Sequence, residues 1–211
     1  GFTTFILETS AFASFKFATL PEGGGSVAGV VSKTYNGSSL VLALNSNLDI
    51  KMNGSKCTPL DINNFSVVVE EDFDSGVDNS TFNFPGWTNF AEEGSELWSE
   101  QVFSGNGYAE FSTFRSGDDV NIGWLISPGI DMDSQTNEFL NFQVAQHHLD
   151  SVDNTLELFV STDYDGSNVT AATWQPVSAN LPVPSDSWYV FKDSGLVDLS
   201  TYTGTLYVGF K

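Results

Sequence analysis

The 211 residues include 27 acidic and seven basic ones, giving a formal net charge of -20, and 40% are hydrophobic. That apolar content is enough for one large or two small domains, whereas so negative a surface repels phosphate backbones and anionic headgroups. Nucleic acid, membrane surfaces and polyanionic glycans are therefore excluded as partners, and a neutral ligand, a cation or a basic protein remains.

Cysteine and histidine are too scarce to carry the fold. One cysteine, Cys57, cannot form a disulfide within the chain, and with two histidines it leaves too few ligands for a structural zinc site. No apolar run approaches the roughly 20 residues of a membrane helix, so this segment inserts in no membrane. The start at Gly1, without a signal peptide, and the richness in Asn, Ser, Thr and Gly suggest a piece of a longer, secreted protein.

The negative charge lies in the second part of the chain. Residues 1–63 hold four acids and four lysines, so residues 64–211 hold the other 23 acids against three bases, together with all five tryptophans. This change coincides with the turn-rich segment Thr58–Asn64. We therefore predict a domain boundary between residues 58 and 66, with domains at 1–63 and 64–211.

In the first part, two apolar stretches predict a hairpin. Gly25–Lys33 and Ser39–Leu44 alternate as strands do, and Asn36-Gly37 between them favours a tight turn. Phe12–Ala18 predicts either another strand or a short helix. This is too little for a complete barrel, so we expect a module that is small or lacks its beginning.

The second part predicts an antiparallel β-sandwich. Short alternating stretches recur between turn residues, and no helical periodicity of useful length is present, which excludes a parallel α/β fold. The predicted strands are Ser66–Glu70, Tyr108–Phe114, Trp124–Ser127, Phe139–Gln146, Leu156–Ser161, Trp188–Phe191 and Leu206–Phe210.

Several ordered blocks also carry a resemblance to a known family: Glu71-Asp72-Phe73, Pro85-Gly86-Trp87, Trp98, Gly107-Tyr108-Ala109, Trp124 to Pro128, Val160 to Gly166, Ala172-Thr173-Trp174 and Tyr207 to Phe210. Through them, residues 66–211 resemble the choice-of-anchor J domain, a jelly-roll relative of the cleaved-adhesin domains in secreted proteins of Bacteroidetes. Residues 20–57, through Gly25 to Val30 and Asp49-Ile50 to Cys57, also resemble the end of an OB-like domain.

The resemblance implies an all-β chain with a small OB-like module followed by a jelly-roll sandwich. This pairing is similar to surface glycan-binding proteins encoded beside polysaccharide-uptake systems. It implies an extracellular, cell-surface location, with the full-length protein anchored at the outer membrane, and a binding role that leaves the ligand open.

No residue pattern indicates catalysis. The sequence has no G-x-S-x-G elbow, and neither histidine lies in a catalytic motif. Glu96 and Glu100 resemble a glycosidase pair, but on a strand they would lie about 13 Å apart, beyond the roughly 5–10 Å that such chemistry needs. We predict that both are solvated acids and that the protein is not an enzyme.

Alternation along Phe139–Gln146 predicts a polar sheet face. Leu140, Phe142 and Val144 share the core side, and the outward row is Asn141, Gln143, Ala145 and His147. Amide and imidazole groups suit the hydroxyls of a sugar, although an ordinary polar surface would have the same pattern. His147 and His148 should point to opposite faces and therefore cannot chelate one metal together.

Two tryptophans have the polar flanks of partly exposed rings. Trp98 lies between charged residues and Trp188 follows a proline-containing loop, so either can stack on the apolar face of a sugar. Trp87, Trp124 and Trp174 are predicted to be core residues.

Clustered carboxylates are plausible calcium ligands, because calcium takes six to eight oxygen atoms. Jelly-roll relatives often hold a structural calcium near the first strand, so the resemblance implies such a site at Glu71, Asp72 and Asp74.

Taken together, these features predict a monomeric, non-catalytic surface protein that binds a neutral polysaccharide or oligosaccharide, with a β-glucan such as laminarin preferred. The alternative is a cell-surface adhesion or spacer module that binds a protein partner.

Overall fold

The structure, a computed structural model, describes residues 6–37, 39–55, 60–149, 151 and 153–211. Over these ranges the chain contains strands, turns and three short 3-10 helices but no α-helix, which confirms the all-β prediction. None of the helices in these ranges has the length and apolar character needed to cross a membrane. Thr58 and Pro59 of the predicted boundary, and Cys57 before it, lie outside the described residues.

The chain divides into two compact units between Asn64 and Phe65. The described residues of the first unit form two 3-10 helices, Asn47–Asp49 and Ile62–Asn64, and five strands: β1 Ile6–Glu8, β2 Ser26–Val27, β3 Val30–Lys33, β4 Leu40–Ala43 and β5 Ile50–Lys51.

The predicted hairpin of the first unit is confirmed. Strands β3 and β4 pair antiparallel, and the turn between them contains Gly37 at φ 70°, a conformation that favours glycine. Strand β1 adds in parallel to the other side of β4, and β2 pairs with β5. Val41 is the one buried hydrophobic side chain among the described residues of this unit, so its core is small.

Phe12–Ala18 forms neither the strand nor the helix that its sequence predicts. Successive turns run through it, with the N–H of Ala13, Lys16 and Ala18 each donating to the carbonyl three residues earlier. Phe12 and Phe17 are almost fully exposed. Without a core to cover these rings, local hydrogen bonds determine the conformation.

The second unit is a β-sandwich-like structure with one 3-10 helix, Val169–Ala171. Its strands are β6 Ser80–Thr81, β7 Thr88–Glu93, β8 Ser99–Phe103, β9 Asn106–Glu110, β10 Ile122–Ile126, β11 Ile130–Asp131, β12 Phe139–Leu140, β13 Gln143–Val144, β14 Leu158–Ser161, β15 Gln175–Pro176, β16 Lys192–Asp193, β17 Val197–Asp198 and β18 Thr205–Phe210.

The largest sheet has the order β15-β14-β18-β10-β7, with β11 also paired to β18. A second sheet has the order β6-β8-β9, and two ribbons, β12-β17 and β13-β16, accompany these sheets. Every strand pair described in this unit is antiparallel, as the sandwich prediction requires.

Five of the seven predicted stretches contain strands, and two do not. Ser66–Glu70 has no ladder partner among the described residues, and its three valines are exposed. Trp188–Phe191 contains only an isolated bridge from Trp188 to Gln146. Both runs have the apolar, β-favouring composition of strands, but neither forms a ladder with the described residues.

The core contains an aliphatic cluster and two aromatic clusters. Leu158, Val160, Leu206 and Val208 lie at the centre of the large sheet, each at most 2% exposed. Burying such a side chain contributes roughly 1.5–3 kcal/mol. One aromatic cluster is built on Phe82, Phe84, Trp98 and Leu125, and the other on Trp124, Ile126, Tyr164 and Val169.

Glu100 is buried, 7% exposed, although its sequence neighbours predict a solvated acid. Its two carboxylate oxygens accept the backbone N–H of Val77 at 2.7 Å and of Asn83 at 2.8 Å. The bond from Val77 is the largest cause of its lowered pKa, and bonds from Asn83 and Ser80 add to it. Through Glu100, strand β8 is therefore hydrogen-bonded to Val77, before β6, and to Asn83, after it.

We expect Glu100→Gln to lower the free energy of unfolding by about 1–3 kcal/mol at neutral pH, because the backbone N–H groups lose a charged acceptor. A lowered pKa means that this stabilisation is present above the ordinary value of 4.5 and disappears as the pH falls through the lowered value. Urea unfolding across this pH range measures the difference. Glu93→Gln, at an exposed position on β7, is the control, and an equal effect of both variants would contradict the assignment.

Candidate ligand-binding surface

Four consecutive apolar residues, Trp188 to Phe191, are exposed in the second unit, with Trp188 50% and Tyr189 63% accessible. Tyr108, His147 and His148 lie beside them, and we call these seven residues the aromatic patch. Soluble proteins rarely expose such a continuous apolar run unless it contacts something.

The rings of the aromatic patch form two contacting groups, one of four rings and one of two. The imidazole of His148 lies 4.0 Å from the indole of Trp188, and that of His147 lies 4.2 Å from the ring of Tyr189, measured between centroids. The Tyr189 hydroxyl also hydrogen-bonds Nε2 of His147. At the other end, Tyr108 meets Phe191 edge to face at 5.9 Å. The patch therefore combines apolar ring faces with polar nitrogen and oxygen atoms.

Buried Gln146 holds the two loops of the patch together. Its carbonyl accepts the N–H of Tyr189 at 2.9 Å, and its side chain accepts from Leu149 N–H and donates to the Asp186 carbonyl. Both loops also carry a left-handed residue, His148 at φ 54° and Tyr189 at φ 58°. Such backbone strain, of the order of 1–3 kcal/mol per residue, persists where surrounding contacts impose it, and it clusters at functional sites.

An ion pair fixes the loop that carries Trp188. Lys192 Nζ donates to Asp186 Oδ2 at 2.7 Å, and the same oxygen accepts the N–H of Val183 at 3.0 Å. The Lys192 hydrogen bond is the largest cause of the lowered pKa of Asp186. The aspartate therefore stays ionised and bonded at neutral pH.

Trp188 and His147 of the predicted ligand set lie in the aromatic patch. The predicted alternation also holds along Leu140, Phe142 and Val144, which pack into the core or against it. Gln143 begins strand β13 and Asn141 lies just before it, and both donate to the Asp193 carboxylate, at 3.1 and 3.0 Å respectively. They form a polar border near the patch, with part of their hydrogen-bonding capacity already used.

The prediction that His147 and His148 point to opposite faces is wrong. Strand β13 ends at Val144, and the left-handed backbone of His148 brings the two imidazole centroids to 4.1 Å. Across the described ranges, no group of three His, Cys, Asp or Glu side chains is placed to hold a metal ion.

The prediction that Trp98 is partly exposed is also wrong. Its side chain is 8% exposed and packs in the cluster of Phe82 and Phe84, with the Phe111 ring at 5.6 Å. Strand alternation places Trp98 on the same inner face of β8 as Glu100, so the polar neighbours in sequence do not indicate its exposure. A buried ring cannot stack on a sugar.

Five members of the aromatic patch were absent from the predicted ligand set: Tyr108, His148, Tyr189, Val190 and Phe191. Interpreting Trp188–Phe191 as a strand placed every second side chain of this run in a core, so the run was not predicted to be exposed as a whole. The sequence does contain a signal for this exposed run. A half-buried strand alternates apolar and polar residues, whereas Trp188–Phe191 is apolar without interruption and directly follows a polar, proline-containing loop.

The predicted calcium ligands mainly support local turns. Glu71 accepts the N–H of Phe73, Asp72 accepts that of Asp74, and Asp74 accepts that of Gly107 at 2.9 Å. All three carboxylates are exposed and retain free oxygen lone pairs. Calcium binding there stays a prediction.

The fold and this surface define the class of the chain, an all-β protein with a sandwich-like second unit. No protein-family model, curated protein or solved structure matches it. The resemblance to the choice-of-anchor J domain therefore stays a prediction.

We expect Trp98→Ala to destabilise the second unit by about 3–5 kcal/mol, because it removes a buried ring from an aromatic cluster. Trp188→Ala should cost clearly less, about 1 kcal/mol, because half of that ring is already in water. Guanidinium unfolding followed by circular dichroism compares the two. Equal losses would show that Trp188 is a structural residue.

If calcium binds at Glu71, Asp72 and Asp74, the melting temperature should rise with added calcium and fall with EDTA, through ligand binding and relief of carboxylate repulsion. Differential scanning fluorimetry measures the shift. Asp74→Asn should reduce the response and Asp165→Asn, in a separate turn, should not. If neither calcium nor EDTA changes the melting temperature, the calcium site is wrong.

Proposed function

We propose that this protein is a non-catalytic, extracellular binder of neutral polysaccharide, with a β-glucan as the preferred ligand and the aromatic patch as the binding surface. One observation carries the proposal: Trp188 and Tyr189 expose neighbouring rings, each in contact with an imidazole.

The chemistry of the patch suits a sugar. Aromatic rings stack on the apolar face of a pyranose, and such contacts contribute about 0.5–1.5 kcal/mol each beyond area burial. The imidazoles and the Tyr189 hydroxyl supply donors and acceptors for hydroxyl groups at the ring edges. A few contacts of this kind predict micromolar to millimolar affinity.

Charge favours a neutral polymer over an anionic one. The described second unit carries nearly all of the net charge of -20, so carboxylated or sulfated chains approach a repulsive field. A glucan has no charge and meets no such repulsion. The field therefore selects the ligand class, while the rings supply the affinity.

The scaffold supports binding without large rearrangement. Gln146 and the Asp186–Lys192 pair already hold both loops of the patch, so little conformational entropy is lost when a ligand docks.

The role of Glu100 supports a non-catalytic protein, because its carboxylate oxygens already accept hydrogen bonds from backbone N–H groups.

Affinity electrophoresis tests the proposal with laminarin, mixed-linkage glucan, alginate and a sulfated polymer. We expect at least one neutral glucan to retard the protein, and neither anionic polymer to do so. Trp188→Ala should weaken glucan binding by about two- to twelvefold, the equivalent of one stacking contact.

Phe114→Ala is the control for this experiment, because Phe114 is 77% exposed and lies outside the aromatic patch. Retardation by alginate alone would overturn the charge argument. Binding of a basic protein at Trp188, with no neutral glycan bound on an array, would instead favour the adhesion function.

A further inference from the structure

We infer that the sugar-binding surface is elongated and takes a linear oligosaccharide or polymer chain, because it continues from the aromatic patch across Tyr108 onto the outer face of the β8-β9 hairpin. This inference rests on the proposed glycan-binding function and names the class of its ligand.

Strand register defines this outer face. Gln101 pairs with Tyr108 and Phe103 pairs with Asn106, so these four side chains project from one side of the hairpin. Ser99 and Glu110 form the next pair on the same side. We call these six residues the hairpin face. The alternate residues lie on the inner side, where Glu100 and Gly107 are buried and Val102 and Ala109 are half-buried.

The hairpin face presents the same chemistry as the patch. Phe103 is 73% exposed at the end of β8, where the turn residues Ser104 and Gly105 both have positive φ and close a tight hairpin. The side-chain amide of Gln101 donates one hydrogen to Ser99 Oγ at 3.2 Å, while its side-chain oxygen Oε1 accepts no hydrogen bond from the described residues. An exposed ring next to an open amide can hold a second sugar unit.

Tyr108 joins the two surfaces. Its ring lies 5.9 Å from Phe191 in the patch, and it is directly opposite Gln101 in the hairpin. Burial is the largest cause of its raised pKa, and the nearby carboxylates of Glu110 and Asp78 add to it, so the hydroxyl remains a hydrogen-bond donor at neutral pH. Tyr108 thus places a hydrogen-bond donor where the aromatic patch meets the hairpin face.

Distance sets the ligand length. Tyr108 and Phe103 are diagonal neighbours across the hairpin, a separation of roughly 7–8 Å. Together with the 5.9 Å from Phe191 to Tyr108, the path from Phe191 over Tyr108 to Phe103 is roughly 13 Å long before Trp188 is included. A single sugar ring cannot contact both ends, whereas a chain of several rings can.

Isothermal titration with a disaccharide and a hexasaccharide of the retarding glucan tests the inference on the full chain. We expect Phe103→Ala to weaken hexasaccharide binding by about two- to twelvefold and to leave disaccharide binding unchanged. Gln101→Ala should act in the same direction, and Trp188→Ala should weaken both ligands. Phe114→Ala, matched to Phe103 in ring type and exposure, should affect neither.

The outcomes separate the two proposals. If Trp188→Ala weakens binding but Phe103→Ala leaves the hexasaccharide unchanged, the elongated site is wrong and the proposed function stands. Equal losses of both ligands in Phe103→Ala would indicate one compact site and also overturn the inference. If neither sugar binds the wild-type chain, or if Trp188→Ala affects neither, the proposed function fails as well. Thermal melts of each variant confirm that it is folded.

Discussion

The second unit depends on strand β18, which pairs with β10, β11 and β14 and so joins most of the large sheet. One face of this strand buries Leu206 and Val208 in the aliphatic cluster. On the other face, an added Cβ at Gly209 would lie only 3.0–3.1 Å from ring atoms of Trp174 and Trp124. Glycine at this position therefore allows two tryptophans to pack against the strand, and the sheet acquires a core on both sides.

The aromatic patch, which we propose as the binding surface, is held in place by different interactions from those of the core. Its loops have few ladder bonds, and side-chain hydrogen bonds from Gln146 and Asp186 take their place. Because these bonds satisfy buried polar groups, the loops can expose large rings without losing their positions. The left-handed residues His148 and Tyr189 turn the chain so that four rings meet at one place.

Long-range charge and local apolar contact have separate consequences for binding. The field of a strongly acidic unit acts on any approaching polymer and discriminates by its sign of charge. Stacking acts only at contact and discriminates by shape and by an apolar face. A neutral, hydroxylated chain satisfies both conditions. The same reasoning places anionic glycans and nucleic acids at a disadvantage regardless of how their rings would fit.

The sequence by itself determined the all-β class, the hairpin at Asn36-Gly37 and the core side of residues 140–144, because alternation and turn preference are local properties. It also singled out Trp188 and His147, and both lie in the aromatic patch. Only the tertiary structure decided which tryptophan is exposed: Trp98 and Trp188 have similar polar flanks, but a facing aromatic cluster covers the first, whereas half of the second remains accessible. The contact between His147 and His148, the burial of Glu100 and the continuity of Tyr108 with Phe191 likewise depend on loops and strands brought together from distant parts of the chain, which local pattern cannot specify.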